Sequence, residues 1–535
     1  MAQAGADRAM DGAQPMKGVL GWIERTGNRL PDPAFLFFQL IGVLIAISVI
    51  ASLAGISADH PTEIDPATGA PRVIAAASLL SPENIQRLWV EMPATFTHFH
   101  PLGYVLVVML GAGVAERAGL FGTAMRAGVR DAPKALLTPI VALTAMIGNL
   151  AADAAYVVLI PLAGIIFHAA GRHPIAGIAA AFAGVSGGFS ANLLPGQLDA
   201  LLFGITEASV KTVFGTFTAN IVGNWYFIAG MTFVFLPVIW FVTDRIIEPR
   251  LGAYNPAGAG TAIAAEDADR ALTAPERKGL MRAGLAVLFV VGLWLWFTLG
   301  PGTPLINEDA PTEQAQLEPF YRSLVAGFFL LFVLAGWAYG RAAGTIRDHR
   351  DLVQMMAGAM GDLAYYLVLA FAAAHFVAMF AWSNLGLIIA VGGADFLGST
   401  NLPSWALLAG IVLITALLNL FVGSASAKWA LLAPVMVPML MLLGISPEMA
   451  TAAYRVGDGA TNIITPLMVY FPLILIFCQR WQKDFGLGSL AATMLPFSIG
   501  LLLSGLAMTI GWVALDLPLG PGASVGFTLP PTAAP

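Results

Sequence analysis

The chain has 535 residues and a formal net charge of −6, and it is 58% hydrophobic with only 11% charged residues. A soluble domain would carry roughly a quarter charged residues, so the many apolar runs of about 20 residues identify an all-α polytopic membrane protein, the fold whose backbone is satisfied inside lipid. The ten-residue alternation of an outer-membrane barrel is absent, and a single cysteine, Cys478, excludes an intramolecular disulfide or a cysteine-rich metal centre.

Residues 1–32 form a polar tail with Arg8, Lys17, Arg25 and Arg29. The tail does not read as a cleaved signal, because the first apolar run, at 33–57, is too long for a signal h-region. An acidic loop at 58–100 precedes a helix at 102–118 and a basic stretch from Arg117 to Lys134. The apolar segment 135–170 is interrupted at Gly148-Asn149-Leu150-Ala151-Ala152-Asp153. The next, 174–213, is interrupted from Ser186 to Gly196 around Pro195. A helix at 217–243 closes a first half, 33–243, and a polar connector at 244–278 leads to a second half, 279–514. There the spans 279–299, 319–341 and 352–381 precede a looser amphipathic piece reaching about 400. Interrupted segments at 403–444 and 448–478 and a last helix at 488–514 complete that half. The Pro/Gly-rich tail 515–535 reads as disordered.

Lys and Arg concentrate on the cytoplasmic side of membrane proteins. With a cytoplasmic N-terminus and nine transmembrane helices, the tail, Arg282 and the loops near 120–134, 172, 245–278, 341–350 and 480–483 all lie inside. Of the 26 basic residues, only Arg72, Arg87, Lys211 and Arg322 then fall on the outer side, and Lys428 and Arg455 at membrane depth. This arrangement requires 135–170 and 403–444 to be re-entrant hairpins entering from opposite faces, the signature of an inverted repeat. It places the C-terminus in the periplasm. Asp153-Ala-Ala-Tyr156-Val-Val-Leu-Ile-Pro161 aligns without gaps on Ser426-Ala-Lys-Trp429-Ala-Leu-Leu-Ala-Pro434. Each is followed about 30 residues later by a second break.

Four helix interruptions near the midplane leave backbone groups that must face protein, water or an ion. Asn149, Asn192, Ser424, Ser426, Thr461 and Asn462 add neutral oxygens suited to a dehydrated Na⁺, the one bound ion the pattern suits, and no other cofactor is expected. Half-helix N-termini suit a carboxylate. Ionisable groups at this depth cost roughly 2.5–3.5 kcal/mol each, which marks them as functional candidates. The architecture is that of a secondary transporter of a small molecule, embedded in a lipid bilayer, with no nucleic-acid partner.

The strings Ser190-Ala-Asn-Leu-Leu-Pro-Gly-Gln-Leu-Asp199, Gly423-Ser-Ala-Ser-Ala-Lys-Trp429 and Tyr454-Arg-Val-Gly-Asp-Gly-Ala-Thr-Asn462 closely resemble those of the AbgT family of aminobenzoyl-glutamate transporters. The resemblance covers essentially the whole chain. It implies a homodimer in the bacterial inner membrane that handles p-aminobenzoyl-glutamate or exports sulfonamide antimetabolites with the proton motive force. It also implies a fold similar to dicarboxylate/Na⁺ symporters, with an elevator-like motion. The family's substrate and proton positions fall on Asp199, Asn419, Trp429, Pro447, Arg455, Asp458 and Pro466.

Arg455 offers a planar two-pronged donor for a substrate carboxylate, and its bland alternative is an ion pair with Asp458, three residues on along the same face. Asp458, between glycines at a break, and Asp199, on the mirrored break, are the candidate proton carriers. Trp429 would stack on an aminobenzoyl ring or simply pack. Lys428 would pair with an acid or line the cavity. Asn419 would bond a substrate amide or cap its helix. Pro195, Pro447 and Pro466 set the breaks. Asp153 reads as a helix cap, and His168 and His375 as packing residues.

A rival class rests on Gly184-Val185-Ser186-Gly187, which matches a short string of rhomboid proteases, with His375 as the base. Such matches are cheap among 57 glycines. An intramembrane aspartyl protease fails because Arg455 stands where its motif needs glycine. No enzyme is expected. The stronger alternative is a Na⁺-coupled uptake carrier for a carboxylate.

Overall fold

The computed structural model describes residues 32–65, 68–130, 133–151, 155–211, 220–252, 271–299, 302–310, 316–465, 468 and 470–528. Asp153, Pro466, nearly all of the N-terminal tail and much of the 244–278 connector lie outside the described residues. Helix α1 (Pro33–Leu53) starts where Asp32 accepts from the Ala34 amide at 2.8 Å and Pro33 presets the first turn. It ends before the expected residue 57, because Gly55 takes a left-handed turn into a β-hairpin. Strands β1 (Ser57–Ile64) and β2 (Pro71–Ala75) pair antiparallel. Helix α2 (Pro82–Thr97) follows, its first turn capped by Ser81. The segment expected to be a loop is thus folded; its strands are too short and too polar to show an alternation.

Helices α3 (His100–Arg117) and α4 (Leu120–Arg130) precede the first interrupted segment, in which α5 (Leu137–Ile147) and α6 (Ile160–Ala169) flank the break. The second interrupted span is α7 (Pro174–Phe182), a π-turn at Ala183–Gly187, an irregular stretch and α8 (Gln197–Lys211). Helix α9 (Trp225–Val242) runs into a π-turn and the short α10 (Glu248–Leu251). The second half comprises α11 (Ala274–Thr298), α12 (Glu318–Ala343), α13 (His349–Asp362), α14 (Ala364–Trp382) and α15 (Leu385–Ser399). It continues with α16 (Ser404–Asn419), α17 (Ala425–Leu442), α18 (Pro447–Asn462), α19 (Phe471–Gln479) and α20 (Leu487–Ala514). The expected single span at 352–381 is therefore two helices meeting at Leu363, and the looser piece before 400 is a regular helix. Among the described residues, eight helices are long and apolar enough to cross a membrane.

The breaks follow from composition, since glycine, asparagine and proline interrupt the backbone ladder. In the packing, α5 lies on the Ala183–Gly187 π-turn, and α16 lies on α18. Among the described residues two apolar cores form. The larger joins all four interrupted segments with α1, α9, α14 and α20, and the smaller joins α3, α11 and α12. Helix α8 lies between them, packed on α3 and on α17.

Loops that the charge distribution assigns to one side meet one another. Arg172 binds Asp244 at 2.6 Å and also Glu248, and Arg126 binds Glu276 at 2.8 Å. The His168 ring lies 5.1 Å from Trp481. At the other end, the Ala77 amide donates to the Ser383 carbonyl at 3.0 Å. The described part of the C-terminal segment, 515–528, is ordered there, against what its composition implied. Leu519 is fully buried, the Phe227 amide donates to its carbonyl at 3.1 Å, and the Ser446 amide donates to the Val525 carbonyl at 2.9 Å. Buried Leu519, Ala523 and Val525 offset the ordering cost that Pro and Gly alone would not. Residues 518–527 form a strap from the start of α9 to the start of α18.

Candidate functional site

Helix α18 is polar in composition, yet every one of its residues except Glu448 is buried. Pro447 occupies its first turn and Ser446 caps it, accepting from the Met449 amide at 3.1 Å. Arg455 and Asp458 are balanced by partners on other elements. Arg455 binds Asp199 at 2.7 Å, with side chains only 3% and 7% exposed. Asp199 sits in the first turn of α8, where its second oxygen accepts from the Gly196 amide at 2.7 Å, immediately after Pro195. One carboxylate thereby caps a half-helix and neutralises a buried guanidinium.

Asp458 lies 2.5 Å from Lys428 of α17, both side chains 2% exposed. Lys428 also donates to the Asn419 amide oxygen. The Asn419 amide nitrogen faces the Asp458 carbonyl (2.6 Å), Thr461 (2.9 Å) and Asn462 (2.8 Å). Asn462 in turn donates to the Ser186 carbonyl at 3.3 Å, tying the second break to the first. Helix α16 approaches this closely because of Gly457, where a Cβ would collide with the Val412 carbonyl.

The bland expectation of an Arg455–Asp458 pair is corrected by this geometry. Pairing them would leave Lys428 and Asp199 as uncompensated buried charges, each costing several kcal/mol, roughly. The two acid–base pairs instead take partners from different elements, and the first half contributes through Asp199.

Trp429 is fully enclosed. Its indole N–H donates to Thr206 at 2.9 Å, Thr206 meets Thr451 at 3.0 Å, and its ring lies 4.4 Å from that of Tyr454. The six neutral groups suited to Na⁺ fall in three places. Asn149 donates to the Gly188 carbonyl and Asn192 to the Met146 carbonyl. Ser424 caps α17 beside Ser426. Thr461 and Asn462 take up the Asn419 amide. Among the described residues no group of three or more His, Cys, Asp or Glu is placed to hold a metal. Ser186 donates to the Met468 sulfur at 2.9 Å, and His375 bonds the Phe371 carbonyl.

A narrow cleft of about 20 Å³ opens on one charge pair, lined by Asp199, Arg455, Thr206, Thr451, Asn220 and Glu448. A second, apolar cavity of about 30 Å³ lies against Lys428, walled by Phe37, Leu418 and Leu431. The first places a buried guanidinium beside two carboxylates, and the second presents an apolar wall. Sequence reasoning passed over Glu448, Thr206 and Thr451, although Glu448 and Thr451 stand seven and four residues before Arg455 on one helical face.

A family model described as the AbgT putative transporter family matches residues 18–527. The p-aminobenzoyl-glutamate transport protein of Escherichia coli (strain K12) is 37% identical over 505 residues, covering 94% of this chain and 96% of that protein. The chain is similar to the crystal structure of the YdaH transporter of Alcanivorax borkumensis, with TM-score 0.84 and 41% identity over 92% of this chain and all of that one. It is also similar to MtrF of Neisseria gonorrhoeae, reported with a class of antimetabolite efflux pumps, with TM-score 0.87 and 41% identity over 95% of this chain and all of that one.

Proposed function

The chain belongs to the AbgT family of multi-pass membrane transporters, and on that premise we propose that it carries p-aminobenzoyl-glutamate-like aromatic carboxylates or sulfonamide antimetabolites out of the cell in exchange for protons. It works as a homodimer in the bacterial inner membrane, with the N-terminus inside and the C-terminus outside. It is a transporter and not an enzyme, so the Ser186–His375 protease reading falls away.

One observation carries the proposal, the charge balance of two buried pairs, Arg455–Asp199 and Lys428–Asp458. Empty, this set of four is neutral. An anionic substrate held by Arg455 makes it negative, and a proton on Asp199 or Asp458 makes it positive. In a membrane negative inside, each elementary charge gains roughly 2.3 kcal/mol per 100 mV, so the loaded form is driven out and the protonated form back. Tight exchange requires only that the neutral form cross slowly.

The two apolar cores support an elevator-type stroke, in which the body carrying the four interrupted segments slides against α3, α11 and α12. Coupling to Na⁺ is the rival, and the scattered neutral oxygens disfavour it. In proteoliposomes, labelled aminobenzoyl-glutamate is expected to follow an imposed pH gradient with Na⁺ replaced by choline. Transport that needs Na⁺ and ignores the pH gradient would overturn the reading.

A further inference from the structure

The cleft beside Arg455 carries a second carboxylate, Glu448, for which the charge-balance argument has no use. Glu448, Thr451 and Arg455 stand at i, i+3 and i+7 of α18, so one helix face presents all three to the same space. Seven residues at 1.5 Å each separate Glu448 from Arg455 by about 10.5 Å along the axis. The loop Asn220–Asn224 holds this end in place. Asn224 donates to the Glu448 carbonyl at 2.8 Å, and a Cβ at Gly223 would collide with the Glu448 stem. The carboxyl also accepts from the Asn220 amide and its own, and the capacity of about four lone pairs leaves room for a ligand donor.

We propose that Glu448 is a specificity-determining residue that accepts a hydrogen bond from the para-amino group of the substrate while Arg455 holds a carboxylate. This rests on the substrate reading above. Standard bond lengths put the amine of an extended p-aminobenzoyl amide roughly 9 Å from the carboxylate at its far end, which matches the spacing along the helix. Thr451 lies between them, beside the ring. An aryl amine is the group that aminobenzoyl-glutamate shares with sulfanilamide-type antimetabolites, so one carboxylate accounts for both ligand classes. The competing assignment is that Glu448 only complements the helix N-terminus.

The test is a selectivity ratio in proteoliposomes: transport efficiency for p-aminobenzoyl-glutamate divided by that for benzoyl-glutamate, which lacks only the amine. Wild type should favour the amine about tenfold, as expected for a hydrogen bond to a charged group. Glu448→Ala should bring the ratio close to one, and Glu448→Gln, which keeps an acceptor without the charge, should fall between. A ratio unchanged in both variants, or a wild-type ratio of one, overturns the inference, because loss of a helix-end charge lowers both rates together. If the alanine variant does not fold, the glutamine variant's ratio decides. Wild type carrying neither compound overturns the substrate reading first and this inference with it.

Discussion

Asp199, in the first turn of α8, and Arg455, in the middle of α18, meet at 2.7 Å with both side chains nearly buried, joining the Ser186–Gly196 break to α18. Removing the carboxylate while keeping its shape, as in Asp199→Asn, leaves a buried guanidinium uncompensated. That costs roughly 3–5 kcal/mol. The thermal midpoint in detergent should drop sharply, and replacing both partners, as in Asp199→Leu with Arg455→Met, should restore much of it. Neither variant should transport. A double variant as unstable as the single one would mean that the pair is not a closed unit.

Asn419 gathers Lys428, the Asp458 carbonyl, Thr461 and Asn462. Asn419→Ala orphans several buried polar groups at once, at about 1–3 kcal/mol. The expected outcome is a lower thermal midpoint and impaired transport. A thermal shift indistinguishable from wild type would show that water replaces the amide at no cost.

Trp429 gives a contrasting expectation. Its ring is enclosed and its N–H is committed to Thr206. Trp429→Phe keeps the contact with Tyr454 and loses one hydrogen bond, about 1 kcal/mol. Substrate KM should stay within twofold of wild type while stability falls. A KM change of tenfold or more would mean that the ring opens to the substrate during the stroke.

The C-terminal strap is held by close backbone contact, and a Cβ at Gly520 would collide with the Val222 carbonyl. Gly520→Val should therefore destabilise by about 1–3 kcal/mol and raise hydrogen exchange at 220–224 and 444–446. Exchange unchanged in both loops would show that the strap does not brace them.

His173 caps α7 by accepting from the Ile175 amide at 3.3 Å. Burial lowers its pKa below the ordinary 6.5, with Glu248 opposing. The fold therefore favours the neutral ring, so this contribution is complete above about pH 6.5 and is lost as the pH falls below it. Exchange of the Ile175 amide should rise between pH 7 and pH 5. A flat profile would mean that the ring does not cap in solution.

Much of this site was legible in the sequence, for reasons specific to each residue. Lys428, Arg455 and Asp458 stand out because charge is costly in an apolar run, and the breaks show because glycine, asparagine and proline interrupt the ladder. Partner choice was hidden, since Asp199 comes from the opposite half and only the packing of α8 against α17 and α18 brings it to Arg455. The burial of Trp429 was equally hidden, because an indole beside a lysine reads the same whether it faces a ring or Tyr454. The β-hairpin and the strap were missed because their order comes from docking onto distant turns, which local composition does not encode.

The central claim is that substrate and proton move in opposite directions. The measurement is lumenal pH, read with an entrapped dye, in proteoliposomes loaded with aminobenzoyl-glutamate and diluted into substrate-free buffer without Na⁺. The account predicts that the lumen acidifies as substrate leaves, and that Asp199→Asn abolishes the signal. A lumen that turns alkaline as substrate leaves, or a pH that does not move while substrate departs, would contradict it.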